Sequence, residues 1–214
     1  WKFERADKVI NVIGMDQMLA QLQLKIALYA LGYGKLADNL VHFAYNLVTL
    51  PGYKMSSRRG RYIAFDEVMN EAVWRAFEEV SKRSPQLSKG EKQKIAECVG
   101  VGAVRYALIE VDTGKTVMFT WDRVLNFETN SAPYIQYTHA RAWSILRKAG
   151  KKPENPAYEL LKEEIEHELV LDLADFPNVF VEATEFLKPN LIADYANGLA
   201  DKFNTFYNAL PVIK

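Results

Sequence analysis

The sequence has little cysteine and no long apolar run. Cys98 is its single cysteine among 214 residues, so no internal disulfide can form. No uninterrupted apolar stretch approaches the ~20 residues that a membrane-spanning helix requires. Residues 1–5 contain neither the apolar core nor the cleavage site of a signal peptide. These features together predict a cytoplasmic protein without a membrane partner.

The sequence also lacks net charge, because 27 Lys and Arg balance 27 Asp and Glu. Any contact with nucleic acid must therefore come from local patches, since no overall positive field attracts a polyanion. Cys98 stands alone, and the Asp, Glu and His residues show no ligand spacing, so no metal site is expected. The 49% hydrophobic residues are ample for one large domain or two small ones.

The first fifty residues predict a β-α-β arrangement. A short β-branched run, Lys8 to Ile13, is closed by Gly14, and residues 16–31 place apolar side chains at helical spacing. Residues 40–50 follow as a strand or an extended pair, before the turn Pro51-Gly52. Ligands of open α/β sheets bind outside the carboxyl ends of the strands. We therefore expect residues 14–17 and the segment after Gly52 to face one ligand.

The segment after that turn is a basic loop, residues 53–61. Its four cations lie within eight residues: Lys54, Arg58, Arg59 and Arg61. Two serine hydroxyls lie among these charged hydrogen-bond donors, so the loop can bind a polyphosphate. The alternative interpretation is an ordinary solvated basic turn.

From Phe65 onward the periodicity is helical. One helix begins near Asp66, and Ser88 with Glu91 fits a capping box that opens a second helix. The glycines in residues 100–102 predict a bend or a tight helix crossing. Residues 115–121 alternate apolar and polar side chains, which leaves open a short strand or an extended arm.

The C-terminal third predicts an all-helical bundle. Ser131 caps a helix that has Pro133 in its first turn and ends at Gly150. Residues 151–156 are the clearest linker. Three amphipathic helices are expected beyond it, over residues 157–171, 174–187 and 189–210. The glutamates of the first are expected to form a solvated face: Glu159, Glu163, Glu164, Glu166 and Glu168.

The basic loop resembles the second signature, of the Lys-Met-Ser-Lys-Ser type, of class I aminoacyl-tRNA synthetases, and its context resembles arginyl-tRNA synthetases. In that family the loop stabilises the ATP phosphates while arginyl-adenylate forms. The resemblance implies a catalytic role for Lys54, Ser56, Ser57 and Arg58, and makes Met55 a packing anchor beside the ATP and amino-acid pockets. Ser57 stands where many class I enzymes have the second lysine, whose charge Arg58 or Arg59 could supply.

Gly14, Asp16 and Gln17 resemble the Gly-x-Asp-His/Gln pattern that lies beside the adenosine and amino-acid pockets of this family. The resemblance implies that Gly14 lets the backbone approach adenosine, and that the two polar side chains bind ribose or arginine. The alternative is an ordinary strand-to-helix turn with a capping aspartate.

Residues 126–141 resemble the family's entry into the anticodon-binding domain, with a Pro-Tyr-x-x-Tyr-x-x-Ala-Arg run at 133–141. The last helix resembles the one that approaches the anticodon stem-loop. The implied tRNA-binding residues are Tyr134, Arg141, Tyr195 and Tyr207. Tyrosines at helical spacing also pack in cores, and Phe203 with Phe206 is better explained as core.

The sequence thus predicts the second half of a Rossmann-like α/β catalytic domain, a connecting helical region and an all-α anticodon-binding bundle that is incomplete at its C-terminus. The boundaries are 1–62, 63–125 and 126–214. The implied activity is that of an arginine–tRNA ligase, whose substrates are arginine, tRNA-Arg and ATP with Mg²⁺, with no permanently bound cofactor and no DNA.

A first class I signature of the His-x-Gly-His type is not found, because His42, His139 and His167 lack that setting. An Asp-Ala-Leu-Arg-like segment is not found either. We therefore expect an internal part of a longer protein that does not aminoacylate by itself. Two alternatives remain: a non-catalytic tRNA-binding module related to synthetases, or a helical interaction protein whose loop matches by accident.

Overall fold

The computed structural model describes residues 4–52, 63–150 and 156–213. The first strands are parallel and in register over their whole length. Strand β1 (Val9–Gly14) pairs with β2 (Leu40–Tyr45), with Gly14 opposite Tyr45 at the last position. A 3₁₀ turn (Met15–Gln17), helix α1 (Met18–Ala30) and helix α2 (Gly34–Asp38) connect them. The expected β-α-β arrangement is confirmed.

A second parallel pair joins two distant segments. Strand β3 (Val48–Thr49) pairs with β4 (Val117–Met118). Residues 40–50 are thus an extended pair of strands, and the undecided segment 115–121 contributes a two-residue strand. Asn46 strengthens the junction, because its backbone N–H donates to the Thr113 carbonyl at 2.9 Å and its Nδ2 donates to the Gly114 carbonyl at 3.1 Å.

Helices α3 (Phe65–Arg83) and α4 (Lys89–Ile109) form a closely packed pair. The predicted capping box opens α4: the Ser88 Oγ accepts from the Glu91 backbone N–H, and the Glu91 carboxylate accepts from the Ser88 N–H at 2.9 Å. Small side chains fill the interface between the helices. The fully buried alanines are Ala72, Ala76, Ala96 and Ala103.

Gly100 lies where α4 crosses α3. A Cβ added there would meet the Val73 Cα at 2.7 Å and the Ala72 carbonyl carbon at 2.8 Å, both of them backbone atoms. Helix α4 continues through residues 100–102 without a break. Of the two predicted outcomes, the tight crossing is therefore correct.

Helix α5 (Trp121–Val124) leads into α6 (Ala132–Ala149), whose two ends are as predicted. The Ser131 Oγ accepts from the Tyr134 backbone N–H at 3.1 Å, and Gly150 ends the helix with a positive φ of 75°.

Two long helices close the chain, where three were predicted. After a 3₁₀ turn (Tyr158–Leu160) come α7 (Glu164–Glu185) and α8 (Pro189–Ala209). The expected break after residue 171 is wrong, and Pro177 lies inside α7. Contacts with α8 stabilise α7 where the break was expected. Lys202 Nζ of α8 lies 2.6 Å from Asp172 Oδ1, and the Tyr195 hydroxyl donates to the Asp172 carbonyl.

The expected start of the first helix is also wrong, because α7 begins at Glu164 instead of residue 157. The Glu166 carboxylate accepts from the backbone N–H groups of Lys162 and Glu163 at 2.9 and 3.0 Å, which fixes the start. Glu166 therefore caps the helix and is half-buried, while the four other glutamates are solvent-exposed, as expected.

Within the described ranges, each helix is too short or too polar to cross a lipid bilayer.

We expect Gly100→Ala to lower the free energy of unfolding by about 1–3 kcal/mol, because its Cβ would collide with the α3 backbone. Chemical denaturation of the purified protein measures this. The matched control is Gly198→Ala in α8, where an added Cβ meets nothing within 4 Å. Alanine should stabilise that position by about 0.5–1 kcal/mol. Equal effects of the two substitutions would contradict the tight crossing.

Candidate functional site

The turn after β1 is the first candidate surface. Since β1 and β2 are parallel, their carboxyl ends meet at one edge, where Gly14 lies beside Tyr45. The Gly14 backbone has an ordinary extended geometry, with φ −55° and ψ 152°. The lack of room for a side chain explains the glycine instead, because an added Cβ would lie 2.6 Å from the Asp16 Oδ1. Gly14 thus allows the Asp16 carboxylate to fold back over the end of the strand.

Asp16 and Gln17 are both exposed at this edge, and the Gln17 Nε2 donates to the Asp16 Oδ2 at 3.0 Å. The residues at the starts of the 3₁₀ turn and α1 make no side-chain capping hydrogen bond. This arrangement disfavours the capping-aspartate alternative. A carboxylate acceptor beside an amide suits sugar hydroxyls or a cationic amino acid.

Met55 lies outside the described part of the chain. The four predicted catalytic residues also lie outside it: Lys54, Ser56, Ser57 and Arg58. The described chain stops at Gly52 and resumes at Ile63. Leu50 and Ile63 line a cavity of about 510 Å³ between the strands and α3–α4, together with Val104, Val117 and other apolar side chains. This lining suits apolar packing better than it suits a polyphosphate.

The second candidate surface lies between α6 and α8, and a polar network holds these helices together. The Tyr134 hydroxyl donates to the Asp201 Oδ1 at 2.7 Å and accepts from the Asn204 Nδ2 at 3.0 Å. The same Asn204 Nδ2 donates to the Thr138 hydroxyl at 2.7 Å. Burial first, and then the Asp201 hydrogen bond, raises the pKa of Tyr134. Tyr134 is 8% exposed, so its direct role is to join the two helices.

Arg141 extends this network to the surface. Its Nη1 donates to the Asn204 Oδ1 at 2.6 Å, and its Nη2 donates to the Tyr137 hydroxyl at 3.0 Å. The guanidinium carbon lies 4.8 Å from the Tyr137 ring centroid and 4.7 Å from that of Tyr207. Two aromatic rings and a neutral amide oxygen therefore fix the cation. No described carboxylate lies within ion-pair distance of it.

An open pocket of about 290 Å³ surrounds this cation. Its lining residues are Tyr137, Ala140, Arg141, Ser144, Ile145, Lys148 and Tyr207. A phosphate can meet the two cations there, while a base can stack on an exposed tyrosine. We name this set the Arg141 pocket.

Tyr195 lies away from the Arg141 pocket. Its hydroxyl donates to the Asp172 carbonyl at 3.0 Å, and its ring packs on Phe176 at 5.2 Å. Burial raises its pKa. Tyr195 and Tyr207 are separated by about 18 Å along α8, given 1.5 Å per residue. The structure therefore brings Arg141 and Tyr207 together but places Tyr195 in the α7–α8 interface.

Sequence reasoning missed two residues of this surface, Lys148 and Asn204. The spacing of Tyr137, Arg141, Ser144 and Lys148, which recur every three or four residues, was a signal for a shared helix face. Asn204 gave no such signal, because its role depends on contacts with residues more than sixty positions away.

The comparisons with known proteins agree with both parts of the chain. Residues 1–121 match the family described as tRNA synthetases class I (R), catalytic domain. Residues 135–214 match the DALR anticodon binding domain. The expected α/β catalytic part and helical anticodon-binding part are thereby confirmed.

Individual relatives match over the full length of this chain. It is 49% identical to an arginine–tRNA ligase of Ignicoccus hospitalis, with 100% of this chain and 34% of that protein covered. The corresponding protein of Pyrococcus abyssi is 51% identical, with 100% and 35% covered. The structure of Thermus thermophilus arginyl-tRNA synthetase superposes with a TM-score of 0.87 at 36% identity, covering 97% of this chain and 34% of that one.

This chain spans about a third of the length of the curated relatives it matches. The catalytic-domain match covers more than half of the chain and ends at residue 121, just after β4. The chain therefore belongs to the arginyl-tRNA synthetase family of class I aminoacyl-tRNA synthetases.

Proposed function

We propose that this chain supplies part of an arginine–tRNA ligase, which activates arginine with ATP to arginyl-adenylate and transfers arginine to tRNA-Arg in the cytoplasm. The observation that carries the proposal is the 49% identity to an arginine–tRNA ligase over the whole of this chain. The first class I signature would come from elsewhere in the longer protein. The chain alone would therefore not form the adenylate.

In the adenylation step, Lys54, Ser56, Ser57 and Arg58 would bind the ATP phosphates, with Mg²⁺ accompanying ATP as part of the substrate. Their cationic and hydroxyl groups would stabilise the negative charge that develops on the departing pyrophosphate. Gly14, Asp16 and Gln17, with Met55 packed nearby, would form the wall for adenosine and arginine. The position of residues 14–17 at the carboxyl edge of β1 and β2 supports this assignment.

We further propose the division of the chain into residues 1–62, 63–125 and 126–214. The helices of the last part support it, because α6 and α8 share the polar network around Asn204, and Asp172 of α7 binds Tyr195 and Lys202 of α8. The first two parts are closely joined, since β3 of the first pairs with β4 of the second.

In the RNA-binding step, the Arg141 pocket would hold tRNA-Arg. Arg141 and Tyr207 would meet the RNA directly, while Tyr134 and Tyr195 would support α8 from inside the bundle. The support is a guanidinium that contacts two aromatic rings and has no ion-pair partner among the described residues, which suits a phosphate or an unstacked base.

In the full-length enzyme, we expect Lys54→Ala to slow arginine-dependent ATP–pyrophosphate exchange by roughly 10²–10³-fold, because one charge clamp on the transition state is lost. Lys94→Ala, at an exposed position of α4, is the control and should leave the exchange unchanged. Unchanged exchange in the Lys54 variant would favour the accidental-loop alternative. Arginine-dependent exchange by the 214-residue chain alone would contradict its expected inactivity.

We expect Gly14→Ala to raise the KM for ATP or arginine by roughly tenfold or more, as when one charged hydrogen bond is lost. The added Cβ displaces the Asp16 carboxylate, but this side chain is exposed and mobile enough that the melting temperature should hardly change. Gly34→Ala is the control, because its Cβ would make only ordinary contacts at 3.5 Å. A KM like that of the control would remove Asp16 from the site.

We expect Arg141→Ala in the full-length enzyme to weaken binding of a tRNA-Arg transcript by roughly tenfold, the effect of losing one stacking or phosphate contact. Filter binding at fixed salt measures the Kd. Arg105→Ala is the matched control, because Arg105 is an exposed arginine on α4. Equal affinities of the two variants would exclude the Arg141 pocket from RNA binding. A variant that loses ATP–pyrophosphate exchange but keeps its RNA affinity would have a catalytic defect and no RNA-binding defect.

A further inference from the structure

Helix α6 carries a second aromatic surface, on a different side from the Arg141 pocket. Trp143 is 53% exposed, and its ring meets the His139 ring edge to face, with centroids 6.4 Å apart at 82°. The two residues are four positions apart, so they are neighbours on the helix surface. His139 contacts one part of the indole ring, and more than half of Trp143 remains open to solvent.

We propose that His139, Trp143 and Arg147 form a second nucleotide-binding position on α6, where Trp143 stacks on an unpaired base and Arg147 binds the adjoining phosphate. This proposal rests on the proposed function, because the ligand would be the same RNA that binds the Arg141 pocket. It adds Trp143 and Arg147, which neither the sequence motif at 133–141 nor the Arg141 pocket contains.

The distribution of charged residues favours binding of a polyanion at α6 over binding at α7. The 18 residues of α6 include Arg141, Arg147 and Lys148 but no Asp or Glu. Helix α7 is the opposite, with no Lys or Arg and seven acidic residues: Glu164, Glu166, Glu168, Asp172, Asp175, Glu182 and Glu185. RNA would therefore be attracted to the α6 side of the bundle and repelled from the α7 side.

The helix geometry connects the two surfaces through Arg147. At 100° per residue, Arg147 lies about 40° round the axis from Trp143 and about 80° from Tyr137 on its other side. Its side chain is exposed and makes no ion pair with a described residue. An RNA backbone that crosses α6 at Arg147 could place one base on Trp143 and the next at the Arg141 pocket.

An aromatic surface on a helix that has no Asp or Glu fits single-stranded RNA particularly well. Sequence-specific RNA binding uses unstacked bases on aromatic side chains, and each stacked base contributes roughly 1–3 kcal/mol. Trp143 offers the largest such ring on α6, beside a cation that can neutralise the phosphate. The expected ligand is therefore a splayed nucleotide of a loop.

The test compares Trp143→Ala and Trp74→Ala in the full-length enzyme, with an anticodon stem-loop transcript of tRNA-Arg as the ligand. Trp74 lies on α3 and is also 53% exposed, so it controls for removal of a surface tryptophan. We expect Trp143→Ala to raise the Kd by roughly fivefold or more, the loss of one stacked base. Trp143→Phe should recover part of the affinity, and Trp74→Ala should match the wild type.

A second measurement concerns the phosphate contact. Arg147→Ala should make the negative slope of log association constant against log salt concentration less steep by about one. Arg147→Lys should restore the wild-type slope. An unchanged slope would overturn the role of Arg147. Thermal melting of each variant confirms that this exposed helix face is not needed for folding.

The outcomes separate this proposal from the proposed function. If Arg141→Ala weakens RNA binding while Trp143→Ala behaves like Trp74→Ala, the second position is overturned and the Arg141 pocket stands. If Trp143→Ala changes only self-association in sedimentation, the surface is a protein interface, which also overturns the proposal. If neither Arg141→Ala nor Trp143→Ala changes RNA affinity, both proposals fail.

Discussion

The surface that we propose for RNA binding depends on one hydrogen bond, from the Arg141 guanidinium to the Asn204 amide oxygen. Asn204 is neutral, so it fixes the direction of the cation without cancelling its charge. The other side of the same amide donates to Tyr134 and Thr138, which ties α8 to α6. One asparagine therefore both assembles the helix pair and leaves a positive charge at its surface. A carboxylate at this position would neutralise the guanidinium and would also lack the N–H groups that donate to Tyr134 and Thr138.

Helix α4 joins this bundle to the catalytic part. It crosses α3 at Gly100, and near its end the Tyr106 hydroxyl lies 3.5 Å from the Ala193 carbonyl of α8. Burial raises the pKa of Tyr106 to about 12. Glu110, the residue that directly follows α4, pairs with Arg123 at 2.9 Å, while burial raises the pKa of its carboxyl group. Packed small residues thus join α4 to α3, and half-buried polar contacts at its end join it to α5 and α8.

Features determined by nearby residues could be predicted from the sequence. The Ser88–Glu91 capping box, the ends of α6 and the strand ending at Gly14 each depend on local hydrogen bonds or backbone geometry. The continuity of α7 past residue 171 could not be predicted, because it depends on contacts of Asp172 with Tyr195 and Lys202 of α8, more than twenty positions away. Asn204 is the clearest case at the site, since only the folded bundle brings it to Arg141.

The most direct measurement of the central claim is the salt dependence of tRNA-Arg binding by the full-length Asn204→Asp variant. A carboxylate in place of the amide oxygen would neutralise Arg141 while keeping a hydrogen-bond acceptor beside it. We expect weaker binding, and we expect the negative slope of log association constant against log salt concentration to become less steep by about one. Wild-type affinity with an unchanged slope, in a variant whose melting shows it folded, would contradict the claim that the unpaired charge of Arg141 binds RNA.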